Sequence, residues 1–516
     1  MKNSGKILRG GFWLILVASI GLGYFKISDG SETEHYKFIP NDVDGVAVFD
    51  GRQISGKFVD RFRYNPGGME EVLPKNWSEG GDIEFQNTGL DPFYKVVVFH
   101  FKVEGRNYCA MLLKCDTRSF VSFLEKLPDM ELVEEHETAD KGICIKSFEA
   151  AFQEVTVCIG QGVGICCFKV DGKPIERNTQ AELNAFLYNA LKNPQDGLLA
   201  SNKNFEAFGS NTQDVAYWSN GETIGFGALS KDFVDSRTYF SLEQGEIEIN
   251  SELEFRGESP LKPIVRSLNS DAPFAFSFMA NENRAMNFVE DNVPTPFLKF
   301  LKGYNGNFFF EVNGHQFYQG YHVMDSIDEV TFETYEVVVK NQKLTPFPEF
   351  TTVFGVNDVA AYRTGLNADT SYQLKDGFYE FELIEGVTCY IKTLDSNVCI
   401  SNNKDHIYRL QKMPISEVYA TYSLKLDFVA LKGSFPVKGD LGIGIPNMIV
   451  HTGFDLLNFE KLHIDVVDLS DSKVKGGGAF KFKNAEMHSI DAVMDMVDLG
   501  FSNRGIIEGL LFQSER

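Results

Sequence analysis

The sequence predicts an α+β protein: two tandem, related, mostly antiparallel β-sheet domains with a few packed helices, behind one N-terminal transmembrane helix. Three observations lead there. An apolar run bracketed by basic and then acidic residues opens the chain. Short apolar-rich segments separated by turn residues follow, with few helical patterns among them. A weak internal repeat recurs at an offset of about 230 residues. Length agrees, since 516 residues exceed what one compact domain usually holds.

Lys2, Lys6 and Arg9 precede the apolar stretch Gly11–Phe25, Lys26 closes it, and the polar, acidic segment 28–34 follows. A basic flank, an apolar run and a polar exit direct a chain into or across a membrane, with the basic side kept in the cytoplasm. Counting Ile27, with Lys26 snorkelling, the run spans 11–27, the short end of what crosses a bilayer. Residues 1–10 are therefore expected to be a cytoplasmic basic tail, 11–27 a signal anchor in the inner membrane, and 28–37 a linker. The bulk of the chain would then be periplasmic and the protein single-pass. Cleavage is the alternative, although 18–23 offer only a poor small-x-small site. A lipoprotein needs a cysteine just after the run, and the first cysteine is Cys109.

Val43–Phe49 reads as a short strand. Residues 94–103, 104–107 and 108–114 read as strand, turn and strand. Residues 119–127 have helical spacing, with Phe120, Phe123, Leu124 and Leu127 on one face. Strands are expected at 142–148, 155–159 and 164–170. The clearest helix is 179–191, whose apolar face is Leu183, Phe186, Leu187, Ala190 and Leu191; Asn178 or Thr179 is the expected cap, with Glu182 three residues on.

The repeat joins Ile39–Phe49 to Leu268–Phe278, each passing from a polar, Asp-containing lead-in to an apolar strand. Phe58-Val-Asp-Arg and Phe288-Val-Glu-Asp follow in turn. Downstream, 155–166 is similar to 387–401. Strands are expected at 214–218 and 417–422, and exposed alternating strands at 245–255 and 474–482. The joint is expected between Gly257 and Ser267, around Pro260 and Pro263, giving a first domain over 38–262 and a second over 263–516.

Phe38–Phe49 directly after the export segment, the Asp214–Trp218 strand, and the Gly478–Asn484 strand leading to a Ser489–Val497 helix together resemble the Bacteroidota envelope proteins grouped as a domain of unknown function, DUF4836. The resemblance covers most of 36–500. It implies an exported protein of the cell envelope and supplies no activity and no catalytic residues. Many members of that family look like lipoproteins; this chain lacks the cysteine.

Acids exceed bases by 72 to 49, a net charge of −23, which opposes nucleic-acid binding. The eight cysteines lie mostly in apolar strands, where a thiol behaves as a small hydrophobe; Cys144 with Cys158, and Cys389 with Cys399, are the disulfides that neighbouring strands would permit. Cys166 and Cys167 should point to opposite faces of one strand. His315 and His322 share odd spacing, and 134–137 (EEHE) reads as a solvated charged turn before it reads as a cation site. Ser401/Lys404 and Ser470/Lys473 have Ser-x-x-Lys spacing in turn-like stretches without companion motifs. Gly160–Gly164 and Gly442–Pro446 lack the features of phosphate loops. No catalytic, cofactor-binding or metal-ligating residue is assigned, and no cofactor is expected. The aromatic tract 297–301, 308–310, Phe347 and Phe350 fills a core or lines a cavity for a lipid. The expected function is a non-enzymatic envelope scaffold or protein-interaction module; binding or transfer of an apolar ligand is the alternative, and a hydrolase without a recognisable motif ranks third.

Overall fold

Antiparallel strands dominate the structure, a computed structural model, and a few helices pack on them. It describes most of residues 34–489; 1–33, 490–516 and several internal stretches, the longest 58–88, 435–458, 280–300 and 258–271, lie outside the described residues. The expected anchor 11–27, the 489–497 helix beyond Ser489, and the 417–422 strand before Tyr422 are therefore not described. No helix among the described residues is long and apolar enough to cross a membrane.

The chain forms two compact units. The first draws its described residues from Met1–Gly225, Phe233–Gln244 and His488–Arg516, the second from Phe226–Asp232 and Gly245–Met487. The division falls at Gln244/Gly245, ahead of the 262/263 joint expected from the prolines. The reason is pairing: Glu246–Phe255 is a strand running antiparallel to Lys473–Phe482, from Glu246 opposite Lys481 to Glu254 opposite Lys473.

The first unit contains β1 (Val43–Phe49), β2 (Val96–Val103), β3 (Arg106–Lys114), β4 (Met130–His136), β5 (Ile143–Ala150), β6 (Gln153–Gly160), β7 (Val163–Lys169), β8 (Val215–Asn220) and β9 (Phe233–Leu242). They pair antiparallel in the order β9-β8-β1-β2-β3-β7-β6-β5-β4. Two hairpins close with both central residues left-handed, Glu104–Gly105 (φ 49° and 75°) and Gln161–Gly162 (φ 53° and 79°), the twist that two-residue turns need. Gly160–Gly164 is thus a hairpin, and Gln161 Nε2 donates to Leu191 O at 2.6 Å.

Apolar cores lie on both faces of its sheet. One face packs Phe99, Phe101, Tyr108, Leu112 and Ile165 against Leu183, Leu187 and Leu191 of helix α2 (Arg177–Lys192). The short helices α3 (Leu198–Ser201) and α4 (Lys203–Gly209) follow it, and α4 adds Phe205 and Phe208. The other face packs Leu113, Phe148, Val157 and Ile159 against Phe120 and Leu124 of α1 (Thr117–Leu124). Asp116 caps α1, its Oδ1 accepting from Ser119 N at 2.9 Å. Helix α2 starts at Arg177, so neither Asn178 nor Thr179 caps it; Thr179 is buried and its hydroxyl accepts from Arg106 Nη1 at 2.9 Å.

The second unit contains β10 (Glu246–Phe255), β11 (Phe274–Met279), β12 (Tyr304–Tyr318), β13 (Tyr321–Ile327), β14 (Thr334–Lys340), β15 (Thr345–Val356), β16 (Gln373–Lys375), β17 (Phe378–Ile384), β18 (Val387–Leu394), β19 (Asn397–Ser401), β20 (Tyr422–Asp427), β21 (Phe459–Leu469) and β22 (Lys473–Phe482). All but two pair antiparallel in the order β10-β22-β21-β20-β11-β12-β15-β19-β18-β17-β16. β13 and β14 pair with each other as a separate two-stranded arm. Helix α5 (Val359–Ala368), capped by Asp358 through Ala361 N at 2.9 Å, packs Tyr362 and Leu366 on Phe354, Cys389, Ile391 and Val398. On the opposite face, α6 (Lys404–Lys412) sets Ile407 and Leu410 against Phe309, Val353 and Cys399. Helix α7 (Phe428–Ser434) follows β20.

Candidate functional site

A cluster of buried and half-buried polar side chains lies under α6 in the second unit. Register sets Glu311 of β12, Thr351 of β15 and Ser401 of β19 side by side, all fully buried. A bulge in β12 between Val312 and Gly314 adds Asn313 to the row's edge. His406 and Arg409, three apart on α6, share a helix face and reach this row. Arg409 ion-pairs with Glu311, and its Nη2 donates to Asn313 Oδ1 at 2.9 Å. That fixes the amide: Asn313 Nδ2 donates to Glu311 Oε1 at 3.0 Å and faces His406 Nδ1 at 3.0 Å. A facing N–H makes Nδ1 the acceptor, so the imidazole proton sits on Nε2, toward Glu349 Oε1 at 3.4 Å. Glu349 Oε1 also accepts from Gln316 Nε2 at 2.7 Å and from Asn403. Burial pushes His406 below the ordinary histidine range; Glu349 pulls it up, and Arg409 adds to the lowering.

Hydroxyl, imidazole and carboxylate do stand in sequence here, with Thr351 Oγ1 3.4 Å from His406 Nδ1. Both hydroxyls are closed to solvent, however. Ser401 Oγ donates to Phe350 O at 2.7 Å and lies 3.2 Å from Thr351 Oγ1. What the arrangement does is brace α6 on the sheet. Sequence reasoning missed this cluster because its members come from three strands and a helix; the one local signal is Glu311, an acid inside the apolar run Phe308–Val312.

On the other face of the same sheet, half-buried rings form a ladder across β11, β12 and β15. Phe274 meets Phe310 at 6.0 Å between centroids, Phe310 meets Phe350 at 6.3 Å, Phe350 meets Phe347 at 6.4 Å, and Phe347 meets Tyr318 at 6.0 Å. Edge-to-face and offset contacts of this kind suit the ring quadrupole. Of the aromatic tract, Phe308, Phe310, Phe347 and Phe350 lie on this face, while Phe309 points into the α6 core; Phe297 and Phe300 lie outside the described residues.

No protein-family model matches the chain, and no curated protein matches it. Among solved structures, crystal forms III, I and IV of TP0453 share 10–11% identity with it. Each match covers 43% of this chain and 78–80% of that one, with a TM-score of 0.25, too low to carry any argument.

The residues singled out in the sequence are mostly dispersed. Ser401 and Lys404 part company: Lys404 Nζ pairs with Glu380 at 2.7 Å and lies over the Tyr390 ring at 4.6 Å. Ser470 and Lys473 close the β21–β22 turn, Ser470 N donating to Lys473 O at 2.8 Å. His315 and His322 fall on β12 and β13, in different sheets. Glu134, Glu135 and His136 form part of edge strand β4, not a turn; His136 meets Ser147 Oγ at 3.1 Å, and Lys146 pairs with Glu135 at 3.6 Å. Glu137 and Gly442–Pro446 lie outside the described residues.

All eight cysteines are free. Cys144 stands opposite Ile159 and Cys158 opposite Ile145, which puts the two thiols on opposite faces. Cys399 stands opposite Lys392, three positions from Cys389, so these two also face apart, into different cores. The permitted disulfides are therefore not formed. Cys167 enters the α2 core while Cys166 packs on the α1 side, as expected of neighbours on a strand. Burial raises the thiols, Cys109 to about 11 and Cys158 to about 12.

Proposed function

We propose that the chain is a non-enzymatic module of the bacterial cell envelope, built from two copies of one α+β domain and holding other envelope proteins. It would be anchored in the inner membrane through 11–27, its N-terminus cytoplasmic and the rest periplasmic. The duplication is supported by connectivity. β1-β2-β3-β7-β6-β5-β4, with β8 and β9 beyond β1, corresponds strand for strand to β11-β12-β15-β19-β18-β17-β16, with β20 and β21 beyond β11. In both, an Asp-capped helix follows the third strand of that run in sequence. A helix on the opposite face follows β7 and β19.

One observation carries the interaction reading. Of the thirteen large apolar side chains exposed among the described residues, nine lie between Phe317 and Ile384. Five of the nine, Val323, Met324, Ile327, Tyr335 and Val338, stand on the two-stranded β13–β14 sheet, and exposed apolar surface concentrated on one small element favours a contact role. The test is a pull-down of the C-terminally tagged chain from native membranes in mild detergent. Envelope proteins at fixed stoichiometry are expected; a bare monomer would overturn the reading. The aromatic ladder favours a second reading, binding of an apolar ligand, which a monomer carrying lipid at fixed ratio would establish instead.

A further inference from the structure

The link between corresponding strands differs sharply between the two units. β2 and β3 are joined by Glu104–Gly105 alone, with Val103 opposite Arg106. β12 and β15 are joined by 319–344, which hold the β13–β14 arm. Closing a hairpin needs two residues, and long insertions in compact domains usually serve a function.

The arm is unfinished as a sheet. It has two strands, and no third strand joins it among the described residues. On one face Val323 stands opposite Val338, Asp325 opposite Glu336, and Ile327 opposite Thr334. Val338 is 58% exposed and Ile327 60%; on the other face Met324 and Tyr335 are about half exposed. An isolated two-stranded hairpin is marginal in water, and like charges directly opposite each other destabilise it further. Its base is held, with Tyr321 OH donating to Glu382 Oε2 at 2.6 Å.

We propose that this arm accepts a third strand: an extended segment of a partner protein in which a lysine or arginine has an apolar residue two positions away on either side. Strand addition would supply the missing backbone pairing. Paired along β13 or β14, the segment would set its basic side chain beside Asp325 or Glu336, and the apolar residues two positions away, on the same face, beside Val323 and Ile327 or beside Val338 and Thr334. The arm's sequence extends the same charge, with Asp328, Glu329 and Glu333 against Lys340 and Lys343. A second copy of this chain fits badly, since it would bring the same carboxylates and a net charge of −23. The proposal rests on the interaction reading above and names the surface and the partner chemistry.

The test uses the full chain in detergent and two fluorescent nine-residue peptides with valine at positions 3 and 7 and threonine elsewhere, one carrying lysine and the other glutamate at position 5. Fluorescence anisotropy should show the lysine peptide bound at least about fivefold more tightly than the glutamate peptide, as expected when an opposite-charge cross-strand contact replaces a like-charge one. The D325K/E336K variant should reverse that preference, a gain that misfolding cannot produce. Equal binding of the lysine peptide by wild type and variant, or no binding by wild type, would overturn the proposal. The pull-down separates the two readings. Envelope partners captured undiminished by D325K/E336K would sink the arm and leave the module standing; capture of no protein by wild type would sink the module itself.

Discussion

His406 shows how a cluster of neutral and charged groups sets the protonation of one side chain. Arg409 orients the Asn313 amide, the amide occupies Nδ1, and protonating Nδ1 would turn an acceptor into a donor facing a donor. The charged groups around the ring are Glu349, Glu311, Arg409 and Asp405, and burial outweighs the carboxylates. The folded-state pKa lies below the unfolded value of about 6.5, so the unfolded chain binds the proton more readily. This contribution to stability is complete above about pH 6.5 and is lost as pH falls toward the depressed folded-state value. His100 and His315 are also lowered by burial and act in the same window. The difference between wild type and His406→Gln isolates the one residue. Urea midpoints between pH 8 and pH 5 should fall more steeply with acid for wild type; parallel curves would show that His406 does not titrate this way. None of this was legible beforehand, because Glu311, Glu349 and His406 are neighbours only through register.

At the level of elements, the legible ones bury a regular pattern. β1, the β2–β3 hairpin, β6, β7 and α2 were predicted within a few residues, since alternation or helical spacing survives wherever a core selects it. Residues 134–137 read as a charged turn, although 134–136 end β4, because β4 is an exposed edge, with Leu132 and Val133 in water, and no buried face imposes a period. The glycine run of β22 is a different case. A Cβ on Gly478 would meet His463 O at 2.0 Å and Ile464 Cα at 2.8 Å, both on the adjacent strand β21. At Gly476 the nearest atom is Ser251 Oγ at 2.9 Å, the movable end of a side chain. Gly478→Ala should therefore cost at least about 2 kcal/mol by overpacking, and Gly476→Ala clearly less. Urea unfolding of the two variants checks the order, and equal midpoints would refute the close approach.

For the whole molecule, the thiols give the broadest check. Strand register faces the two permitted cysteine pairs apart, so the chain should carry eight free thiols even if it is exported into an oxidising compartment. Alkylation in denaturant without reductant, followed by intact-mass measurement, should add eight groups; six or fewer would reveal a disulfide. By itself the sequence determined the predominance of antiparallel strands with a few helices, and most of the first unit's strands. Those follow from burial of alternating residues, a property of each local segment that needs no knowledge of its partners. Tertiary structure decided that β10 belongs with β22, which cysteines face apart, that Glu311 meets Arg409, and that the connection after β12 rises into an unfinished two-stranded arm. Each of these depends on pairing between segments distant along the chain, and pairing energy is realised only when both partners are in place.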